Sequence, residues 1–335
     1  MRLFARVCAL FALAILLPPA CYGQTLGSTS VELDVDVRSL TASAGKSHVG
    51  LYSTALSLKS SLGSGFRVLY GGSQTTATTV SGHGLASFVT RQAAIEHISG
   101  QQRFLAGNIT LPFGLYDTEE TYASGLIDYP LARVDKGFSS VDWFVPGVGF
   151  RGGSPALQIE AAGFGGQASG VWGNRNNVAG GALRLQSYYQ GLIVGASRWD
   201  GSESTGFGKA AAGRLRTHLS GFDMRFTRPH LLVRGEYLFG TLGNAQTHGW
   251  YTDFYYHLPK YERWTIVARA EQFQPASNIR ATDQVTLGAR YTLDRNWIFA
   301  ANWRRNNGVR YGGTWTPTTG RAGDLYLQVF RKISL

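Results

Sequence analysis

The chain has 335 residues, 32 Lys and Arg against 21 Asp and Glu, 43 Gly, 13% aromatics and two cysteines, with a mean hydropathy of −0.10. Both cysteines, Cys8 and Cys21, fall in the first two dozen residues, which excludes a disulfide scaffold or a thiolate metal site in the remainder. After Leu17 no stretch approaches the ~20 apolar residues of a membrane helix, and the basic charges are scattered rather than clustered, which argues against nucleic acid as a partner.

Arg2 and Arg6, the apolar run Val7 to Leu17, Pro18, Pro19 and the small residues Ala20, Cys21 and Gly23 have the layout of a secretory signal peptide over residues 1–23. A cut after Gly23 leaves 30 basic against 21 acidic residues, a net charge of about +9. A lipoprotein cut before Cys21 is the rival, which the two prolines upstream fit poorly. Residues 24–335 then read as one domain. An exported, Gly- and aromatic-rich chain of near-neutral hydropathy suggests a transmembrane β-barrel, whose lipid face takes only every second residue.

Val31, Leu33, Val35 and Val37 alternate with Glu32, Asp34 and Asp36 in a first strand. Further strands are predicted over residues 48–60, 65–72, 84–98 and 104–111. A long connection follows at 112–139, opened by Pro112 and Gly114. The sixth and seventh strands cover 140–150 and 156–163. The second half alternates more clearly, with strands at 179–189 and 191–199. The next are marked by Phe222 to Phe226, Leu231 to Phe239, Trp250 to Tyr256, Trp264 to Ala270, Val285 to Tyr291, Trp297 to Trp303 and Leu325 to Val329. The total is about sixteen, and single-chain bacterial barrels have even numbers. Connections after even strands are tight, and those after odd strands are mostly longer: 71–83, 112–139, 164–178, 200–213 and 305–323. That is the expected rhythm of periplasmic turns and outer loops. Trp250, Trp264, Tyr291, Trp297 and Trp303 sit at strand ends, where membrane interfaces favour aromatic rings.

The connection 112–139 is the third outer loop in this scheme. It is acidic (Asp117, Glu119, Glu120, Asp128, Asp135, against Arg133 and Lys136) yet carries seven Leu, Ile and Tyr residues, too apolar for a solvated tail. The expectation is that it folds into the barrel mouth, so that Asp117, Glu119, Glu120, Asp128 and Arg133 form a pore constriction. Strand parity places Arg67, Arg184, Arg225, Arg234, Arg269, Arg290 and Arg304 inward, since an arginine facing mid-bilayer lipid costs ~2–4 kcal/mol. Arg225, Arg234, Arg269, Arg290 and Arg304 would make the pore wall. The same parity turns in Glu32, Asp34, Asp36, Asp142, Glu160, Asp223, Glu236, Asp253 and Glu271, so the lumen is mixed, with Arg234 near Glu236 and Arg269 near Glu271. An acidic loop facing a partly basic wall would set a transverse field and a mild charge preference of either sign.

The segment AGNITLPFGLYDTEETYASG, followed by IDYPLARVDKGF, resembles the strand, PFG break and inserted loop of the phosphate-selective-porin-like group of outer-membrane barrels. The layout of a third loop between the fifth and sixth strands looks like that of sixteen-stranded general porins. The resemblance implies that Pro112, Phe113 and Gly114 start the loop and that Asp117, Glu119 and Glu120 lie on it. The chain departs from the pattern by ending in Ile333-Ser334-Leu335 rather than an aromatic residue.

These features point to an outer-membrane porin of a Gram-negative bacterium, passing small hydrophilic solutes or ions by passive diffusion, with outer-membrane lipid and lipopolysaccharide around it. The alternative is a plugged barrel serving as a surface adhesin, receptor or scaffold. A barrel of this size suits a homotrimer. No cofactor or metal is implied: the seven histidines are dispersed with no pair at ligand spacing. His218 and His248 reach toward the outer rim but sit in no catalytic motif, so no enzyme activity is expected.

Overall fold

The computed structural model describes residues 29–42, 47–79, 82–85, 89–115, 125–126, 130–131, 144–154, 156–169, 175–205, 213–274, 281–307 and 323–334. The expected signal peptide and its cut, Asp142, and the loop residues Asp117, Glu119, Glu120, Asp128 and Arg133 lie outside them.

Seventeen strands are described. The first half holds β1 (Thr29–Ala42), β2 (Ser47–Gly63), β3 (Phe66–Thr79), β4 (Gly82–Leu85), β5 (Val89–Ser99), β6 (Gln102–Thr110), β7 (Phe144–Ser154) and β8 (Leu157–Ser169). The second half holds β9 (Arg175–Tyr189), β10 (Leu192–Thr205), β11 (Gly213–Arg228), β12 (Leu231–Leu242) and β13 (Ala245–His257). It ends with β14 (Trp264–Gln274), β15 (Thr282–Thr292), β16 (Trp297–Asn307) and β17 (Gly323–Ser334). Sixteen of them form a ring in which each pairs antiparallel with the following ring strand, and β17 returns to pair with β1 (Leu33↔Ile333, Ala42↔Asp324). The sixteen ring strands therefore close on themselves, as a sheet crossing a membrane must. The extra strand is β4, which pairs only with the upper part of β3 (Thr76↔Leu85) while β5 takes the lower part (Phe66↔His97).

One end of the barrel has short turns at residues 64–65, 100–101, 190–191, 229–230, 258–263 and 293–296. Two of these need left-handed backbone, and the sequence supplies a glycine second in each: Ser64-Gly65 (φ 50° and 80°) and Gln190-Gly191 (φ 46° and 87°). Positive φ at both central residues matches the strand twist in a two-residue hairpin. The other end carries the longer connections, with 111–143 the longest, and one tight turn at Gly243-Asn244. Strands reach further toward this end than their apolar pattern indicates. β8 runs to Ser169 and β10 to Thr205, so the intervening gaps shrink to 170–174 and 206–212. Backbone pairing continues there without an apolar face, because water removes the need for one.

Alternation sorts the side chains. On β13, Trp250, Phe254 and Tyr256 face out while Tyr251, Asp253 and Tyr255 are buried inside. On β17, Leu325 and Leu327 face out while Asp324, Tyr326, Gln328 and Phe330 are buried. Leu183, Leu185, Val194, Phe222, Met224, Val285 and Leu287 extend the outward apolar surface. Aromatic rings gather at the short-turn end: Trp264 on Tyr291 at 5.0 Å, Trp297 on Phe299 at 6.4 Å, Phe104 on Phe150 at 5.2 Å. Six residues above this level stand Trp303 over Trp297 and Tyr237 over Leu231, about 20 Å along a strand at ~3.3 Å per residue. That matches an apolar band of about 25 Å between aromatic girdles.

Leu287, half-exposed at the middle of this band, gives a direct check. Leu287→Arg is expected to lower stability by about 2–4 kcal/mol in urea unfolding from liposomes, whereas Thr286→Arg on the inner face is expected to spare the lipid-exposure cost.

Candidate functional site

The register brings the charges of the inner face into a cross-strand belt. Arg67 lies opposite Glu96, Arg151 opposite Glu160, and Glu160 opposite Arg184. Further round, Arg234 lies opposite Asp253, Asp253 opposite Arg269, and Arg304 opposite Asp324. Opposite charges facing one another across strands are favourable, and here they also remove the cost of buried charge.

From β9 to β17, Arg184, Arg234, Arg269 and Arg304 are buried, each beside a carboxylate. Asp253 is fully buried and accepts from both Arg234 Nε (3.0 Å) and Arg269 Nε (2.5 Å), with Tyr255 Oη donating to the same carboxylate at 3.3 Å. Arg184 donates to both oxygens of Asp223 (3.3 and 2.8 Å). Arg304 stands 3.5 Å from Asp324 and lies over the Tyr326 ring at 4.2 Å. The shared partner of Arg234 and Arg269 is thus Asp253, the residue between them across the strands.

The connection after β6 meets this half of the wall in three places. Leu111 and Phe113 are buried in an apolar cluster with Trp199, Leu219 and Leu238, and Gly114 N donates to Ser197 Oγ at 2.9 Å. Leu126 is buried against Tyr255 and Val267, beside Gly125, whose carbonyl accepts from Asn302 Nδ2 at 2.8 Å. Leu131 N donates to Glu271 Oε2 at 2.5 Å, and Gln284 holds the other oxygen of Glu271 at 2.5 Å. Gly125 is required: its φ is +90° and a Cβ there would stand 2.8 Å from Arg290 Cβ.

Of the sequence-predicted wall arginines, Arg234, Arg269 and Arg304 are buried on the inner face. Arg225 and Arg290 are partly buried beside them, and Arg290 Nη2 donates to Thr265 Oγ1 at 3.3 Å. Arg290 also backs Gly125. The acids and Arg133 of the predicted constriction lie outside the described residues. Sequence reasoning missed the docking points themselves: Leu126, Asn302, and Glu271 as a loop acceptor. It also passed over Arg103 and Arg151, although each adjoins an outward phenylalanine (Phe104, Phe150) and is therefore inward by alternation.

Opposite these docking points the described residues leave a space. A cavity of about 450 Å³ lies between the loop root and the wall from β2 to β8. Lys59, Arg67, Glu96, Arg103, Arg151 and Glu160 are its charged lining.

No family model and no curated protein matches the sequence. Solved structures share the fold. OmpT of Vibrio cholerae in its trimer form is similar with a TM-score of 0.65, at 10% identity over 92% of this chain and 99% of that one. Salmonella typhi OmpF in complex with daunomycin gives 0.63, at 9% identity over 91% and 97%. An anion-selective porin from Comamonas acidovorans gives 0.61, at 12% identity over 92% and 99%. Across this sequence distance what is shared is the fold, an antiparallel β-barrel.

Two substitutions test the loop–wall unit. Asp253→Ala strips two buried arginines of their shared carboxylate and is expected to destabilise the barrel by about 3–5 kcal/mol, seen as a lower urea midpoint. Gly125→Ala should leave that midpoint nearly unchanged while making the connection after β6 sensitive to added protease.

Proposed function

We propose that this chain is an outer-membrane porin that lets small hydrophilic solutes and ions diffuse passively through a pore narrowed by the connection 112–139. The observation that carries the reading is the course of that connection. It leaves β6, docks on β10 through Gly114, and docks again on β13 to β16 through Gly125, Leu126 and Leu131, while the described residues leave a cavity beside β2 to β8. A barrel of sixteen strands is wide enough for an aqueous channel, and an inward loop sets its aperture. Outer-membrane location, export through a signal peptide over 1–23, contact with lipid and lipopolysaccharide, and a homotrimeric assembly belong to this reading. So does kinship with the phosphate-selective-porin-like group, which rests on the PFG break and the segment after it.

Among the described residues no catalytic group is assembled. His218 meets Asp200 Oδ1 at 2.5 Å on the outward face, but Arg198 binds the same carboxylate at 2.7 Å and also holds Ser220 Oγ. His257 meets Thr265 Oγ1 at 2.9 Å near the short-turn end, remote from that acid. A relay needs nucleophile, base and orienting group in one place.

Reconstituted in a planar bilayer, the protein is expected to give stepwise conductance, and deletion of residues 116–128 is expected to enlarge the steps. A folded barrel that passes no current would instead fit the plugged adhesin, receptor or scaffold reading; unchanged steps after the deletion would remove the constriction.

A further inference from the structure

Toward the short-turn end of the lumen a second hollow, of about 220 Å³, opens on the inner face, and no charged side chain lines it. Gln101, Ser154, Gln158, Gln186, Tyr188 and Ile193 make most of its wall. A cavity of about 150 Å³ holds a benzene ring, so there is room here for one six-membered ring.

The amides of this hollow have a fixed direction. Gln158 and Gln186 are direct cross-strand partners, and Gln186 Nε2 donates to Gln158 Oε1. Arg151 Nη2 donates to the same oxygen at 2.9 Å, and Arg184 Nη1 donates to Gln186 Oε1 at 2.5 Å. A guanidinium has no acceptor, so the two arginines fix the oxygen end of each amide and leave the N–H ends for the hollow. Among the described residues Gln158 Nε2 has no hydrogen-bond partner. Gly153 lies opposite Gln158 on its other flank; its φ is +119° and a Cβ there would strike Leu157 O, so that flank stays bare. The charges behind the amides are met by Glu160, at 3.4 Å from Arg151 and 3.8 Å from Arg184, and by Asp223, at 2.8 Å from Arg184.

Tyr188 is the second, independent observation. It faces inward beyond Gln186 on β9, opposite Ile193, yet 52% of its surface is exposed. An aromatic face left open beside oriented amide donors suits a solute with an apolar C–H face and a rim of hydroxyl oxygens. An inorganic ion would leave the ring unused, and a hydrocarbon would leave the amide donors unpaired.

We propose that Tyr188, Gln158 and Gln186 form a binding site for an uncharged sugar ring, its C–H face on Tyr188 and its hydroxyl oxygens accepting from the glutamine amides. Passage of that sugar through the pore rests on the porin reading above; the binding does not.

The test uses the full-length barrel in lauryldimethylamine oxide, a detergent without sugar groups, with D-glucose as the probe. Saturation-transfer NMR is expected to show magnetisation passing from the wild-type barrel to glucose. Tyr188→Ala should raise the glucose dissociation constant about tenfold, the weight of one stacked ring, while Tyr188→Phe should leave it nearly unchanged. Gln158→Glu keeps the acceptor for Arg151 and Gln186, so the wall should stay assembled, but it removes the N–H donors and should also weaken glucose binding. Equal glucose affinity in the wild type, Tyr188→Ala and Gln158→Glu, or no transfer from a wild-type barrel that conducts, would overturn the site and leave the porin reading standing. Tighter binding of glucuronate than of glucose would overturn the uncharged class. Glucose binding to a barrel that passes no current would uphold the site and overturn the porin reading.

Discussion

A backbone amide in hydrocarbon has no water to turn to, and that single constraint organises this protein. Each unpaired group costs several kcal/mol, so the strands must close on themselves, and β17 pairs with β1 along its length. Closure fixes the register of every neighbour in turn. The register then decides which inward side chains face one another, and the charge belt is its product. Asp253 is opposite both Arg234 and Arg269 because two consecutive hairpins leave it nowhere else to be.

The belt divides the lumen into a floor and a channel. Bringing a charge out of water is expensive unless a partner and further hydrogen bonds replace its hydration. The β9 to β17 side meets that condition with carboxylates, Tyr255 and Gln284, and the connection after β6 settles there, on a surface with little net charge to offer. The β2 to β8 side leaves its arginines hydrated, and no described part of the loop beyond its root covers them. The same loop therefore closes one half of the barrel and defines the other. An acidic loop facing a basic wall would have suggested one transverse field across the pore; the docking instead puts the buried arginines beneath the loop and the hydrated ones away from it.

Much of this architecture is legible in the chain. The sixteen ring strands follow from period-two alternation because lipid and lumen impose it, and the alternation of short and long connections follows from the turn residues. Parity alone points Arg234, Arg269 and Arg304 inward. What alternation does not encode is register. Nothing local tells Arg234 that Asp253, nineteen residues on, will be its partner, or that Arg103 will face Arg151 across a connection of more than thirty residues. Strand ends are equally opaque above the membrane, where Ser169 and Thr205 pair by backbone alone. The loop's docking residues, Gly125 and Leu126, look ordinary in sequence, since their value comes from Arg290, Tyr255 and Val267 on distant strands.

The tight turn at Gly243-Asn244 has a consequence for how the barrel comes together. With two-residue turns at 229–230 and 243–244, β11, β12 and β13 are joined at both ends by almost no chain. Loop-closure entropy is least where partners are nearest in sequence, and low contact order favours early pairing. Asp253 then ties β12 and β13 to β14 before distant strands must meet. The seam between β1 and β17, whose partners Val35 and Arg331 are nearly three hundred residues apart, closes last. The molecule thus has a seed and a zip, and the seed is the wall on which its loop will rest.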